Sequence, residues 1–204
     1  MIDRYLIPPL HRLLNKPGQW IAARSITANQ VTLIGFIIGM LALPLLAVGA
    51  FELALIAILF NRIADGLDGA VARCTETTDA GGFLDIVLDF IFYQAVVVGF
   101  ILNSPHEHLL PGLFLMLSFV GTGTSFLAFA VLASKRGVDN PHYPNKSMYY
   151  MGGLAEGFET FAVFIVLCLL PQHFGIIAWL FGGVCWVTTT TRIWAGFKTL
   201  KAYE

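Results

Sequence analysis

The sequence predicts an all-α polytopic membrane protein, with six transmembrane helices and a short N-terminal interfacial helix. Three observations carry this reading. Apolar residues form 57% of the 204 residues and charged residues only 12%, against roughly 25% charged in soluble domains. The windows Val31–Phe51 and Leu109–Ala133 hold no charge, and each is long enough to cross a bilayer at about 20 residues per helix. All 12 Lys and Arg residues fall in segments that six spans place on one side.

The elements follow in order. Leu6, Leu10, Leu13 and Leu14 recur at helical spacing beside Arg12 and Lys16, the pattern of a helix lying on the membrane surface. Thr27 and Gln30 fit a capping box that opens the first span, Val31–Phe51, and Pro44 predicts a kink inside it. Three spans are apolar at one end and polar at the other: the second, Leu53–Ala72, the third, Gly81–Leu102, and the fifth, Ser147–Leu170. Thr78 or Asp79 is positioned to cap the third and Ser147 the fifth. The fourth span is Leu109–Ala133 and the sixth Phe174–Thr191, with Pro105, Pro111 and Pro171 between spans. The expected organisation is one domain, 1–204, with 1–26 as the interfacial segment and 27–204 as the bundle.

Orientation follows from the cations. The three loops opposite the termini carry no Lys or Arg, so the positive-inside rule makes the termini and the loops after spans two and four cytoplasmic. The expected location is a plasma membrane, the inner membrane of a bacterium. The first 26 residues lack the apolar core and cleavage site of a removable signal peptide. A net charge of -1 gives no basic excess for binding nucleic acid. Cys74, Cys168 and Cys185 have neither disulfide nor zinc spacing.

The chemistry lies in acids within apolar helices. Asp65, Asp68, Gly69 and Ala72 fall at i, i+3, i+4 and i+7, on one face of the second span. Gly81, Asp85 and Asp89 share a face of the third. A short loop makes the two spans antiparallel neighbours, so four carboxylates converge. Burying them would cost roughly 10 kcal/mol before mutual repulsion is counted. Arg62 and Arg73 offset part of this, and a hard divalent cation held by oxygen would offset the rest. That ion is Mg²⁺ or Mn²⁺, and two ions would suit phosphoryl transfer. Gly69 and Ala72 strip bulk from the acid-bearing face, and Arg73 stands where it can pair with a phosphate.

The run Asp65-x2-Asp68-Gly69-x2-Ala72-Arg73, followed by Gly81-x3-Asp85-x3-Asp89, closely resembles the signature of the CDP-alcohol phosphotransferases. The six-span layout and Thr27-Ala28-Asn29 at the first span are similar to that family too. One departure is that seven residues separate Arg73 from Gly81, where the usual pattern has eight. The resemblance implies transfer of a phosphatidyl group from a CDP-linked lipid, CDP-diacylglycerol or similar, to an alcohol acceptor, with release of CMP. It implies Asp65, Asp68 and Asp85 as metal ligands, and Asp89 as a further ligand or the general base. It implies Gly69, Ala72 and Arg73 as contacts to the CDP moiety, with Asn29, Thr32 and Thr78 as further candidates. It also implies a homodimer.

Glu156 and Glu159 are candidates for the acceptor pocket, or for pairing with Arg62 or Arg192. Lys135, Arg136 and Lys146 flank the loop Gly137–Asn145, where they would hold an acceptor phosphate or simply obey the positive-inside rule. His106, His108 and His173 read as surface histidines, and His142 as a cytoplasmic residue near substrate. Thr188–Thr191 read as bonded back to helix carbonyls, and Gly121, Gly123, Gly182 and Gly183 as helix contacts. A cation- or proton-coupled transporter using the same acids is the alternative, although such sites lie near the midplane between repeats and no repeat is visible.

Overall fold

The structure is a computed structural model that describes residues 3–136 and 153–202, with side chains from residue 13 onward. It is all-helical over those residues: α1 (Asp3–Ala22), α2 (Ala28–Met40), α3 (Ala42–Ala47), α4 (Phe51–Cys74), α5 (Asp79–Asn103), α6 (Pro105–Lys135), α7 (Gly157–Leu169) and α8 (Phe174–Lys201), with a 3₁₀ turn at Pro171–His173 before α8. Among the described residues, four stretches are long and apolar enough to cross a bilayer: Ala28–Ala47, Asp79–Asn103, Pro105–Lys135 and Pro171–Lys201. The protein is an integral membrane protein. The expected Ser147 cap, Lys146, His142 and the loop Gly137–Asn145 lie outside the described residues, as do the side chains of Arg4, Leu6, Leu10 and Arg12.

The first span starts as its capping box requires. Thr27 Oγ1 accepts from Gln30 N at 3.3 Å, and Gln30 Oε1 accepts from Thr27 N at 2.9 Å. Pro44 does more than kink it: α2 stops at Met40 and a new helix begins at Ala42. A proline removes the bond to the carbonyl four residues earlier and crowds it, and that carbonyl belongs to Met40. Phe51, placed at the end of this span by the sequence reading, instead opens α4. Thr78, not Asp79, caps α5 by accepting from Gly81 N at 3.1 Å.

Two other boundaries move. α6 starts at Pro105, so Pro111 lies inside the helix rather than between spans, and His108 is buried. Its Nδ1 is 2.8 Å from the Phe100 carbonyl, so it is not a surface histidine. α8 runs ten residues past Thr191 to Lys201, because Arg192, Lys198 and Lys201 end the apolar window without breaking the helix. The N-terminal helix is longer than expected and packs on α4, where Gly18 faces Ala70 and Leu14 faces Gly66.

Packing sets the two acid-bearing helices. Gly35 and Gly39 of α2 let it approach α4 closely, against Ala64 and Asn61. A core of Phe92, Phe100, Leu115, Phe164, Leu167 and Phe174 ties α5 to α6, α7 and α8. Phe92 and Phe161 stack at 6.0 Å, and Tyr93 meets Phe164 edge-on at 6.0 Å. Thr188, Thr189, Thr190 and Thr191 bond back to the carbonyls of Val184, Cys185, Trp186 and Val187. Gly121, Gly123 and Gly182 are helix contacts, against Thr189, Phe90 and Phe114, whereas Gly183 meets nothing within 4 Å.

A Cβ at Gly35 would collide with Ala64, so Gly35→Val is expected to destabilise the protein by about 1–3 kcal/mol through overpacking. Gly183→Ala, in open space, is expected to be neutral or mildly stabilising. Thermal unfolding of both variants in detergent checks this.

Candidate active site

Asp65, Asp68 and Asp85 converge as the helical phase demands. One carboxylate oxygen of each lies within 4.8 Å of the others, with Asp68 buried and the other two half-buried. The linker from α4 to α5 is only Thr75–Thr78, and this short connection still brings Asp85 level with the α4 acids. Like charges this close repel by on the order of 3–4 kcal/mol per pair at an effective dielectric near 20. Two neighbours relieve part of it. Arg62 Nη1 pairs with Asp65 Oδ2 at 2.5 Å, and the Thr32 hydroxyl donates to Asp68 Oδ2 at 2.6 Å. Three carboxylates facing one point form an all-oxygen donor set suited to a hard divalent cation, so the residues fit such an ion.

Asp89 stands one turn beyond Asp85 on α5, outside that group of three. Its Oδ2 accepts from the Tyr93 hydroxyl at 3.3 Å. Two cavities meet at these acids. A narrow cleft is bordered by Thr32, Gly35, Phe36, Asn61, Leu88 and the four aspartates. A larger cavity of ≈ 370 Å³ is bordered by Arg62, Asp65, Asp85, Asp89, Tyr93, Thr122, Glu156, Thr160 and Arg192, among others. Asp68 borders only the cleft; Asp65, Asp85 and Asp89 border both.

The remaining sequence candidates sort by position. Gly69 lies under Arg73, whose Nη1 would be 3.3 Å from a Cβ built there, and Arg73 itself is exposed. Asn29 Oδ1 and Thr78 Oγ1 both lie against Gly81, at 2.9 and 3.1 Å from a Cβ built there, so these three residues meet, and none of them borders either cavity. Ala72 is half-buried on the acid-bearing helix. Glu156 and Glu159 form the capping box of α7: Glu156 caps the backbone of Glu159, whose Oε2 accepts from Glu156 N at 3.1 Å. Glu156 is buried and also borders the large cavity, which Glu159 does not. Lys135 and Arg136 are exposed at the end of α6 and border neither cavity.

Sequence reasoning did not select Arg192, Tyr93, Thr122, Thr160 or Asn61. Arg192 read as a topological cation or a partner for Glu156 or Glu159, yet it is buried and its Nη1 donates to the Thr122 carbonyl at 3.1 Å. Tyr93 carried a signal, since it stands four residues after Asp89 and hence on the same face.

The model of the CDP-alcohol phosphatidyltransferase family matches residues 25–194. The chain is 53% identical to the inner membrane protein YnjF of Escherichia coli strain K12 over 204 residues, 100% of this chain and 99% of that protein. A solved structure of Mycobacterium tuberculosis phosphatidylinositol phosphate synthase (PgsA1) with CDP-DAG bound has a TM-score of 0.68 at 18% identity, covering 91% of this chain and 94% of that one. The same synthase in complex with manganese and citrate has a TM-score of 0.67 at 18% identity, over 90% and 88%. At that identity the likeness is one of fold.

Thr32→Val keeps the shape of the side chain and removes the donor to Asp68. It is expected to lower stability by about 1–3 kcal/mol, with Thr32→Ser close to wild type. Unfolding in detergent with a chelator present checks it.

Proposed function

This chain belongs to the CDP-alcohol phosphatidyltransferase family and is a phosphotransferase, and from that premise we propose that it moves a phosphatidyl group from CDP-diacylglycerol, or a similar CDP-linked lipid, to a small alcohol, releasing CMP. The observation that carries this is the group of Asp65, Asp68 and Asp85 within 4.8 Å at the junction of two cavities. The fold likeness to a synthase with CDP-DAG bound supports it. Family membership also sets aside the transporter reading.

In this reading Asp65, Asp68 and Asp85 hold Mg²⁺ or Mn²⁺, two ions in all, and a manganese complex of the similar synthase supports that choice. When bound, the ion neutralises pyrophosphate charge and so favours departure of CMP. Gly69, Ala72, Arg73, Asn29 and Thr78 receive the nucleotide. Thr32 positions Asp68 through its hydroxyl rather than touching nucleotide.

The large cavity takes the acceptor. Its ≈ 370 Å³ falls in the range of pockets for small polar molecules. Arg192 and Glu156 face the acceptor there, while Lys135, Arg136 and Glu159 stay outside. Asp89 is the general base. Tyr93 holds its Oδ2, which leaves the other oxygen to take the hydroxyl proton. The acceptor oxygen then bonds to the phosphatidyl phosphorus as the bond to CMP breaks, and the proton stays on Asp89.

The full assembly is six spans, with α4 and the segment ending in α7 as the two not apolar or long enough by themselves. It forms a homodimer in a bacterial inner membrane, with the acid site and termini cytoplasmic, as the one-sided Lys and Arg distribution supports.

The direct test is CMP release from CDP-diacylglycerol in detergent with Mg²⁺ or Mn²⁺ and a panel of alcohols; no release with any combination would sink the proposal. Asp68→Ala is expected to abolish release. Asp89→Asn is expected to lower kcat by about 10²–10⁴ while CDP-lipid binding is retained. Glu159→Gln, which preserves the capping box, is expected to leave turnover near wild type, whereas Glu156→Gln is expected to change the acceptor KM.

A further inference from the structure

The acid site has a polar neighbour that the chemistry above does not use. Asn61 precedes Asp65 by one turn of α4, so Asn61, Asp65 and Asp68 run along one face at i, i+4 and i+7. Asn61 is 6% exposed and borders the same cleft as the four aspartates. A glycine of α2 makes room for it: a Cβ at Gly39 would stand 2.8 Å from Asn61 Cβ and 2.9 Å from Nδ2.

Asn61 Nδ2 donates to the Gly35 carbonyl at 3.3 Å. That bond sets which way the amide faces, because the reversed amide would put two carbonyl oxygens against each other. Oδ1 is then buried with no hydrogen-bond partner among the described residues. An unsatisfied buried acceptor costs about 1–3 kcal/mol, and nothing in the α2–α4 packing requires an oxygen there. Its position on the cleft makes it an acceptor for a group that arrives with the ligand.

We infer that Asn61 Oδ1 is a neutral oxygen of the divalent-cation site, accepting a hydrogen bond from a water on the ion; this rests on the reading of the aspartates as cation ligands. Helical rise puts Asn61 about 6 Å deeper than Asp65, and Asp89 about 6 Å deeper than Asp85 on the antiparallel helix. The amide therefore serves the Asp89 end of the row. Mg²⁺ and similar ions keep several waters, and their protons need acceptors. An amide supplies one without adding a fifth negative charge to four crowded carboxylates.

The test is the Mn²⁺ affinity of the purified full-length chain in detergent, titrated by calorimetry, with the unfolding temperature in chelator as a packing control. Asn61→Leu keeps the side-chain shape and removes both the oxygen and the donor to Gly35, a loss it shares with Asn61→Asp, and its affinity is expected to fall about 10-fold or more. Asn61→Asp keeps an oxygen but loses the bond to Gly35. It is expected to unfold earlier in chelator yet bind Mn²⁺ at least as tightly as wild type, an outcome that a purely structural amide would not produce. Wild-type affinity in folded Asn61→Leu overturns the inference. If that variant does not fold, an affinity in Asn61→Asp about 10-fold below wild type overturns it instead. Asp68→Ala run alongside separates the claims: affinity lost there but unchanged in Asn61→Leu removes the Asn61 role alone, whereas affinity unchanged in Asp68→Ala removes the cation site itself.

Discussion

Mutual repulsion among Asp65, Asp68 and Asp85 is the constraint that the rest of the bundle must overcome. Three carboxylate oxygens within 4.8 Å of one another push α4 and α5 apart at the end where these helices are joined. The linker Thr75–Thr78 joins them, and α2 bridges them, closing on α4 through Gly35 and Gly39 and also packing on α5. Arg62 and Thr32 each hold one carboxylate. The acids are thus kept close by packing and covalent connection, which is the condition for a preorganised charge site rather than one assembled by its ligand.

The aromatic core gives that site its floor. Phe92, Phe161 and Phe164 pack around Tyr93, which fixes the phenol ring and aims its hydroxyl at Asp89. For Asp89 as the proposed base, rigid support matters more than the strength of one bond at 3.3 Å, because a misplaced base loses much of its advantage. The segment before α7 is fixed comparably: Thr188 Oγ1 accepts from Leu154 N and Ala155 N, at 3.2 and 3.0 Å. Glu156, the next residue, is then locked at the wall of the large cavity.

Local rules were legible wherever the backbone alone decides. The i, i+3 phase of Asp65 and Asp68, the capping box at Thr27, a kink at Pro44 that proves to be a full break, and the back-bonding threonines all follow from helix geometry. Errors arose where polarity stood in for structure. Window reading ended the sixth span at Thr191, before Arg192, although charged residues continue a helix without penalty, and it began the fourth after the polar run 105–108, which exposed Pro111 and His108 to misreading. Glu156 and Glu159 show a third kind of limit. Their i, i+3 spacing suited a ligand site and a capping box equally, and only the start of α7 at Gly157 separates the two. Arg192 and Asn61 were beyond reach for another reason. Their surroundings come from other helices, Thr122 of α6 and Gly35 of α2, and no local pattern reports such neighbours.

The two cavities divide the acids in a way that bears on direction of attack. Asp68 borders only the cleft, with Thr32 and Asn61, while Asp65, Asp85 and Asp89 border both spaces. Displacement at phosphorus needs the entering and leaving oxygens on opposite sides of the reacting centre. In the proposed reading the nucleotide lies on the Gly69–Arg73 side and the alcohol in the cavity bordered by Arg192. Asp89 borders the larger cavity as well as the cleft and so is available to the proposed acceptor, whereas Asp68 does not border that cavity. In that reading the alcohol is chosen by walls from α6, α7 and α8, where Thr122, Thr160 and Arg192 stand, while the acids belong to α4 and α5.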